Sequence, residues 1–144
     1  MPPNTTITLD IEMIDLVPPP DVKMWNNTGK QAHTTQSGLK YYIFESGTGE
    51  QVKDSNVVVV HYSGYFTNGT LFDSSVKRFE PIKFPVGAGF VIDGWDEGIK
   101  LMRKGSKFQF VIPANLAYGK EGNPPLVKPD TDLIFDIEVI DIIR

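Results

Sequence analysis

The chain has 144 residues and a mass of 16.1 kDa, room for one domain with a sizeable core. Its composition is that of an ordinary globular protein, and a net charge of -4 leaves nucleic-acid binding without an electrostatic footprint. The longest apolar run, VVVV, falls far short of the ~20 residues that cross a bilayer, and the lack of cysteine excludes disulfides, thiolate metal sites and cysteine nucleophiles.

Residues 2–16, PPNTTITLDIEMIDL, repeat residues 128–142, KPDTDLIFDIEVIDI. Pro3 aligns with Pro129, Thr5 with Thr131, Asp10 with Asp136, Glu12 with Glu138 and Asp15 with Asp141, at one offset, 129 − 3 = 126. Residues 1–17 are therefore expected to be a remnant resembling the last strand of an upstream copy of the same domain. Two unrelated alternating strands of similar composition are the alternative. The Pro18-Pro19-Pro20 stretch and the polar segment after it read as a linker over 18–36, with Trp25 able to dock on its own domain. The folded domain is expected over 37–144. No basic and apolar leader follows Met1, which favours a cytoplasmic location for the chain as given; a periplasmic one stays open should an export segment be missing.

From Leu39 the pattern alternates with period two. Strands are predicted at 39–45, 56–66, 71–74, 82–85, 105–112 and 133–143, with Asn68-Gly69 as a hairpin turn. Val58, Val60 and Tyr62 share one face; Phe108, Phe110 and Ile112 share another, opposite Lys107 and Gln109. In the last strand Phe135, Ile137 and Val139 point inward, and Asp136 and Glu138 outward. One helix is predicted over about 93–102, where Trp95, Ile99 and Met102 form a stripe and Asp93 suits the N-cap. The fold class is α+β: a strongly curved antiparallel sheet of five to six strands wrapped around one short helix.

The segments HYSGYF, LFDSS, PIKF, FVIDGWDEG and LAYG gather aromatics around one acid, Asp73, with no nucleophile and no metal-ligand set. His33 and His61 are too few and too separated for a metal site, so no metal and no cofactor is expected. With FDIEVI in the last strand, these segments resemble the FKBP-type peptidyl-prolyl isomerases, in order and spacing, over roughly 38–143.

That resemblance implies an apolar pocket between sheet and helix that accelerates rotation about X-Pro bonds. Trp95 would form its floor, and Tyr62, Phe72, Val91, Ile92, Tyr118 and Phe135 its walls. Asp73 would act electrostatically, close to the carbonyl carbon of the twisting amide or hydrogen-bonded to Tyr62, with Arg78 paired to it. Tyr118 and the Ile92 N–H would donate to substrate, and Leu126 lies among the expected substrate contacts. Three positions depart from the common pattern: Ile82 replaces an aromatic, Phe90 stands where a polar residue is frequent, and Asn123 where histidine often occurs. The partners implied are proline-containing polypeptides and, with affinity reduced by Ile82, macrolides such as rapamycin or tacrolimus. The alternative function is a non-catalytic module that binds proline peptides.

Overall fold

The computed structural model describes residues 23–123 and 127–143. The repeat segment 1–17, the start of the linker and Leu126 lie outside the described residues.

Among the described residues, seven strands form one open antiparallel sheet: β1 (His33–Thr34), β2 (Lys40–Glu45), β3 (Val57–Phe66), β4 (Leu71–Ser74), β5 (Ile82–Pro85), β6 (Lys107–Ile112) and β7 (Leu133–Ile143). The spatial order is β1-β2-β6-β7-β3-β4, and β5 pairs with β3 beside β4. β3 is the hub. Along one edge it pairs with β7 from Val57↔Ile143 to Phe66↔Leu133. Its other edge is shared, with β5 on Val57–Val60 and β4 on Ser63–Tyr65. The chain between β4 and β5 leaves the sheet, and that excursion carries Arg78.

The alternation read from the sequence sets the core. Val58, Val60, Phe110, Ile112, Ile137 and Val139 are fully buried on the concave face. Register shifts at Ile43/Glu45, Val59/Val60 and Gly64/Tyr65 insert unpaired residues that bend the strands around the helix.

The helix α1 runs Asp93–Ile99, three residues shorter than expected at its C-terminal end. Past Ile99 the chain tightens, Leu101 and Met102 N–H donating three residues back to Gly98 O at 2.9 Å and Ile99 O at 3.0 Å. The Gln51 side-chain N–H groups donate to Lys100 O at 2.6 Å and to Met102 O at 3.0 Å, carbonyls that no helix bond satisfies. The N-cap is Ile92, in extended geometry and without a side-chain cap, so Asp93 is the first helical residue. There its charge still opposes the positive end of the helix dipole. α1 lies directly on β6: a Cβ on Gly98 would meet Phe110 Cε1 at 2.6 Å, a contact only glycine avoids.

The sheet has one strand more than the upper expectation. β1 pairs His33 with Tyr41 and Thr34 with Lys40, and two residues are too few for alternation to announce. The outer face also differs. Gln109 and Asp136 point away from the core as expected, yet they are 0% and 3% exposed. Residues 25–27 cover them. Trp25 N–H donates to Asp136 Oδ2 at 2.8 Å, while Gln109 Nε2 donates to Trp25 O at 2.9 Å and to Asp136 Oδ1 at 2.8 Å. Asn27 Nδ2 closes the set on Gln109 Oε1 at 2.7 Å. The Trp25 ring packs on Phe44, centroids 5.3 Å apart.

Candidate functional site

A cavity of about 220 Å³ opens between α1, the concave end of the sheet and two loops. Trp95, 4% exposed on the first turn of α1, forms its base. Three rings hold the indole: Tyr62 at 5.0 Å and 75°, Phe135 at 5.2 Å and 89°, and Phe84 at 5.9 Å and 45°. Edge-on packing of this kind is what ring quadrupoles favour.

The walls come from the strands. Phe135 on β7 meets Phe72 on β4 edge to face at 5.6 Å, and Phe72 stacks on Phe66 at 4.8 Å. They converge over Gly64 of β3, whose place cannot take a side chain: a Cβ there would lie 2.6 Å from Phe135 and 2.8 Å from Phe72. Ile82 on β5 and Phe90, Val91 and Ile92 on the approach to α1 complete one side; Tyr118 and Asn123 complete the other.

One polar cluster faces this apolar surface. The Tyr62 hydroxyl donates to Asp73 Oδ2 at 2.5 Å, and Arg78 donates from Nη1 to Asp73 Oδ1 at 2.6 Å and from Nη2 to the Tyr62 oxygen at 2.9 Å. Burial, and then the hydrogen bond to Asp73, pushes the Tyr62 hydroxyl up to about 12, so it stays a donor at any physiological pH. The hydrogen bond to Asp73, followed by that to Tyr62, raises the Arg78 guanidinium above its ordinary value. Below the cluster, Ser75 Oγ accepts from Tyr62 N–H at 2.7 Å and lies 2.8 Å from His61 Nδ1, which locks β3 to the chain leaving β4.

Tyr118 follows a 3₁₀ turn at Ala114–Leu116. Its main-chain carbonyl accepts from Gly122 N–H at 3.0 Å, and its hydroxyl is pushed upward by burial and then by the charge of Asp73. The Ile92 carbonyl accepts from Trp95 and Asp96 N–H groups, whereas its own N–H has no partner among the described residues.

The cavity thus collects eleven of the thirteen residues named from the sequence. Arg78 stands behind Asp73, lining a shallow adjoining depression with Lys77 and Leu71. Leu126 lies outside the described residues. Sequence reasoning missed Phe84 and Phe66, which back the rings from behind and carry no signal beyond an inward strand position. Asp96 carries no site expectation from the sequence, yet it accepts from Gly87 and Gly89 N–H groups at 2.9 and 3.2 Å. The acid seven residues beyond a Gly-Ala-Gly turn was the available signal.

An open sheet wrapped on one helix, with an aromatic cavity where they meet, makes an α+β binding domain suited to a compact apolar group. The sequence profile of the FKBP-type peptidyl-prolyl cis-trans isomerase family matches residues 48–140, and the chain belongs to that family. It is 47% identical over 114 residues to a probable FKBP-type peptidyl-prolyl cis-trans isomerase of Haemophilus influenzae, covering 79% of this chain and 46% of that one. It is 44% identical over 107 residues to FK506-binding protein 2 of Yarrowia lipolytica, covering 74% of each. The crystal structure of FkpA from Escherichia coli superposes with a TM-score of 0.74 at 44% identity, over 81% of this chain and 53% of that one. The chain spans about half the length of the bacterial relatives it matches.

Proposed function

We propose that this domain accelerates cis–trans rotation about X-Pro bonds in polypeptides. The observation that carries the reading is a cavity whose base and walls are aromatic and whose one carboxylate is already engaged by Tyr62 and Arg78.

The X-Pro bond prefers trans by only ~0.5–1 kcal/mol, but a barrier of ~18–20 kcal/mol makes its exchange take tens to hundreds of seconds. At the twisted transition state the amide loses conjugation and much of its dipole. Water solvates the planar amide better, whereas an apolar aromatic wall discriminates against the twisted form far less. The difference lowers the barrier without a covalent intermediate.

In this reading the proline ring stands on Trp95 between Tyr62, Phe72 and Phe135. Tyr118 Oη and the Ile92 N–H donate to carbonyls flanking the bond and hold the peptide while it turns. Asp73, restrained by Tyr62 and Arg78, presents negative potential to the carbonyl carbon of the twisting amide. Macrolides with a proline-like ring, such as rapamycin or tacrolimus, occupy the same cavity with affinity reduced by Ile82. A protease-coupled assay on short X-Pro peptides tests the reading; a rate equal to the thermal rate at micromolar protein rejects it.

Ile82 also supports a second reading, a module that holds a proline segment without turnover, because a wall with an aliphatic side chain in place of a ring stabilises the twisted amide relative to the planar one less. Tight peptide binding with negligible acceleration would select it.

A further inference from the structure

The cavity has hydrogen-bond donors to spare and no free acid. Trp95 is buried at its base, and its indole N–H finds no partner among the described residues. The Ile92 N–H has none there either. Asp73 is the only carboxylate among the lining residues, and both its oxygens are engaged, Oδ2 by the Tyr62 hydroxyl and Oδ1 by Arg78. A ligand suited to such a surface offers carbonyl oxygens and few N–H groups. A run of prolines has no N–H at all, and its extended left-handed helix leaves every carbonyl open. Such a run is ordered before it binds, so it loses less entropy on docking to an aromatic-lined surface.

The chain's longest proline run is Pro18-Pro19-Pro20, preceded by Leu16-Val17. It lies outside the described residues, but Trp25, five residues after Pro20, fixes where the chain sets out. Trp25 is fastened to the outer face of the sheet, its N–H donating to Asp136 and its carbonyl accepting from Gln109. The cavity opens on the concave face. To reach it within the same molecule, the chain before Trp25 must bend back around a sheet edge, and three consecutive prolines resist that bend. The cavity of a second molecule demands no such turn.

We propose that the Pro18–Pro20 run of one molecule is a ligand for the cavity of a second copy, so that the domain limits its own activity as its local concentration rises. The inference rests on the proline-directed reading of the cavity and names an occupant for it. Docking is head to tail: the run of one copy enters the cavity of the next, and further copies can add at either end.

NMR spectra of the full chain from micromolar to millimolar concentration test it, with light scattering on the same samples. As concentration rises, the Trp95 indole and Ile92 amide signals should shift and the apparent mass should increase. Turnover of a short X-Pro peptide per molecule should fall about twofold or more. Replacing the run by Pro18→Ala, Pro19→Ala and Pro20→Ala together should abolish all three effects without lowering turnover in dilute solution. A synthetic peptide of residues 14–22 added to that variant should restore the Trp95 and Ile92 shifts. Spectra that do not change with concentration, or that change equally in wild type and variant, overturn the proposal. A difference between wild type and variant that is the same at every dilution also overturns it, by placing the run in its own cavity. If a short X-Pro test peptide shifts Trp95 but the 14–22 peptide does not, the proposal fails and the proline-directed reading stands. If neither peptide does, both fail.

Discussion

The Tyr62 hydroxyl sits 2.5 Å from Asp73 Oδ2, and Arg78 bonds both partners, so three side chains from β3, β4 and the following loop form one closed polar set at the cavity wall. Tyr62→Phe removes the central donor and acceptor while keeping the ring that packs on Trp95. The expected outcome is a loss of about 1 kcal/mol in stability and a five- to tenfold fall in kcat/KM, since Asp73 keeps Arg78 but loses its fixed direction. Thermal unfolding and the peptide assay read the two effects; turnover within twofold of wild type would remove Asp73 orientation from the proposed mechanism.

Ile82→Phe is predicted to return an aromatic face to the wall. A ring against the occupant is worth about 0.5–1.5 kcal/mol, so affinity for rapamycin or tacrolimus should rise by up to about tenfold. Calorimetric titration of both proteins checks this, and equal affinities would mean that position 82 does not touch the ligand.

Gly64→Ala places a methyl where Phe72 and Phe135 now meet. Overpacking should cost about 1–3 kcal/mol, and displacing Phe72 should weaken peptide binding more than the change in stability alone explains. Denaturant unfolding and peptide titration on the same sample separate the two. Neutral behaviour in both would show that the rings yield easily.

Asp136 provides a pH prediction on the opposite face. Burial under Trp25 pushes its carboxyl up to about 6, against the hydrogen bonds from Trp25 and Gln109. The folded state therefore holds this proton more tightly than the unfolded one, and stability falls as pH rises from the unfolded value near 3.8 through about 6. Relative to Asp136→Asn, which does not titrate, the wild type should gain about 2 kcal/mol on going from near pH 7 to near pH 4.5. Trp25→Ala should reduce that gain by letting water reach the carboxylate. A wild-type-to-Asn difference that is flat with pH in denaturant unfolding would show the carboxylate to be well solvated.

Period-two alternation was legible from Leu39 onward because each inward residue loses water on folding, and such patterns need no knowledge of partners. The long strands β3 and β7 and the inward faces of Tyr62 and Phe135 followed from it; Trp95 followed from the helical stripe it makes with Ile99 and Met102, and the grouping of these rings in one cavity from the family resemblance. The short β1, the early end of α1 and the burial of Gln109 and Asp136 did not. Each involves a contact between residues far apart in the chain: His33 with Tyr41, Gln51 with the helix end, Trp25 with Asp136.

The amino-acid sequence by itself determined which residues face inward, where the turns fall and which aromatics and acid the chain holds, because these are local properties of side chain and period; their assignment to one cavity rested on the family resemblance. Only the tertiary structure decided that β4 and β5 share one edge of β3, that Asp73, Tyr62 and Arg78 close on one another, and that Phe90 stands at the mouth on a loop tied to α1. Those arrangements are made by hydrogen bonds and close packing at long sequence separation. Their strength depends on ångström distances that composition and spacing do not encode.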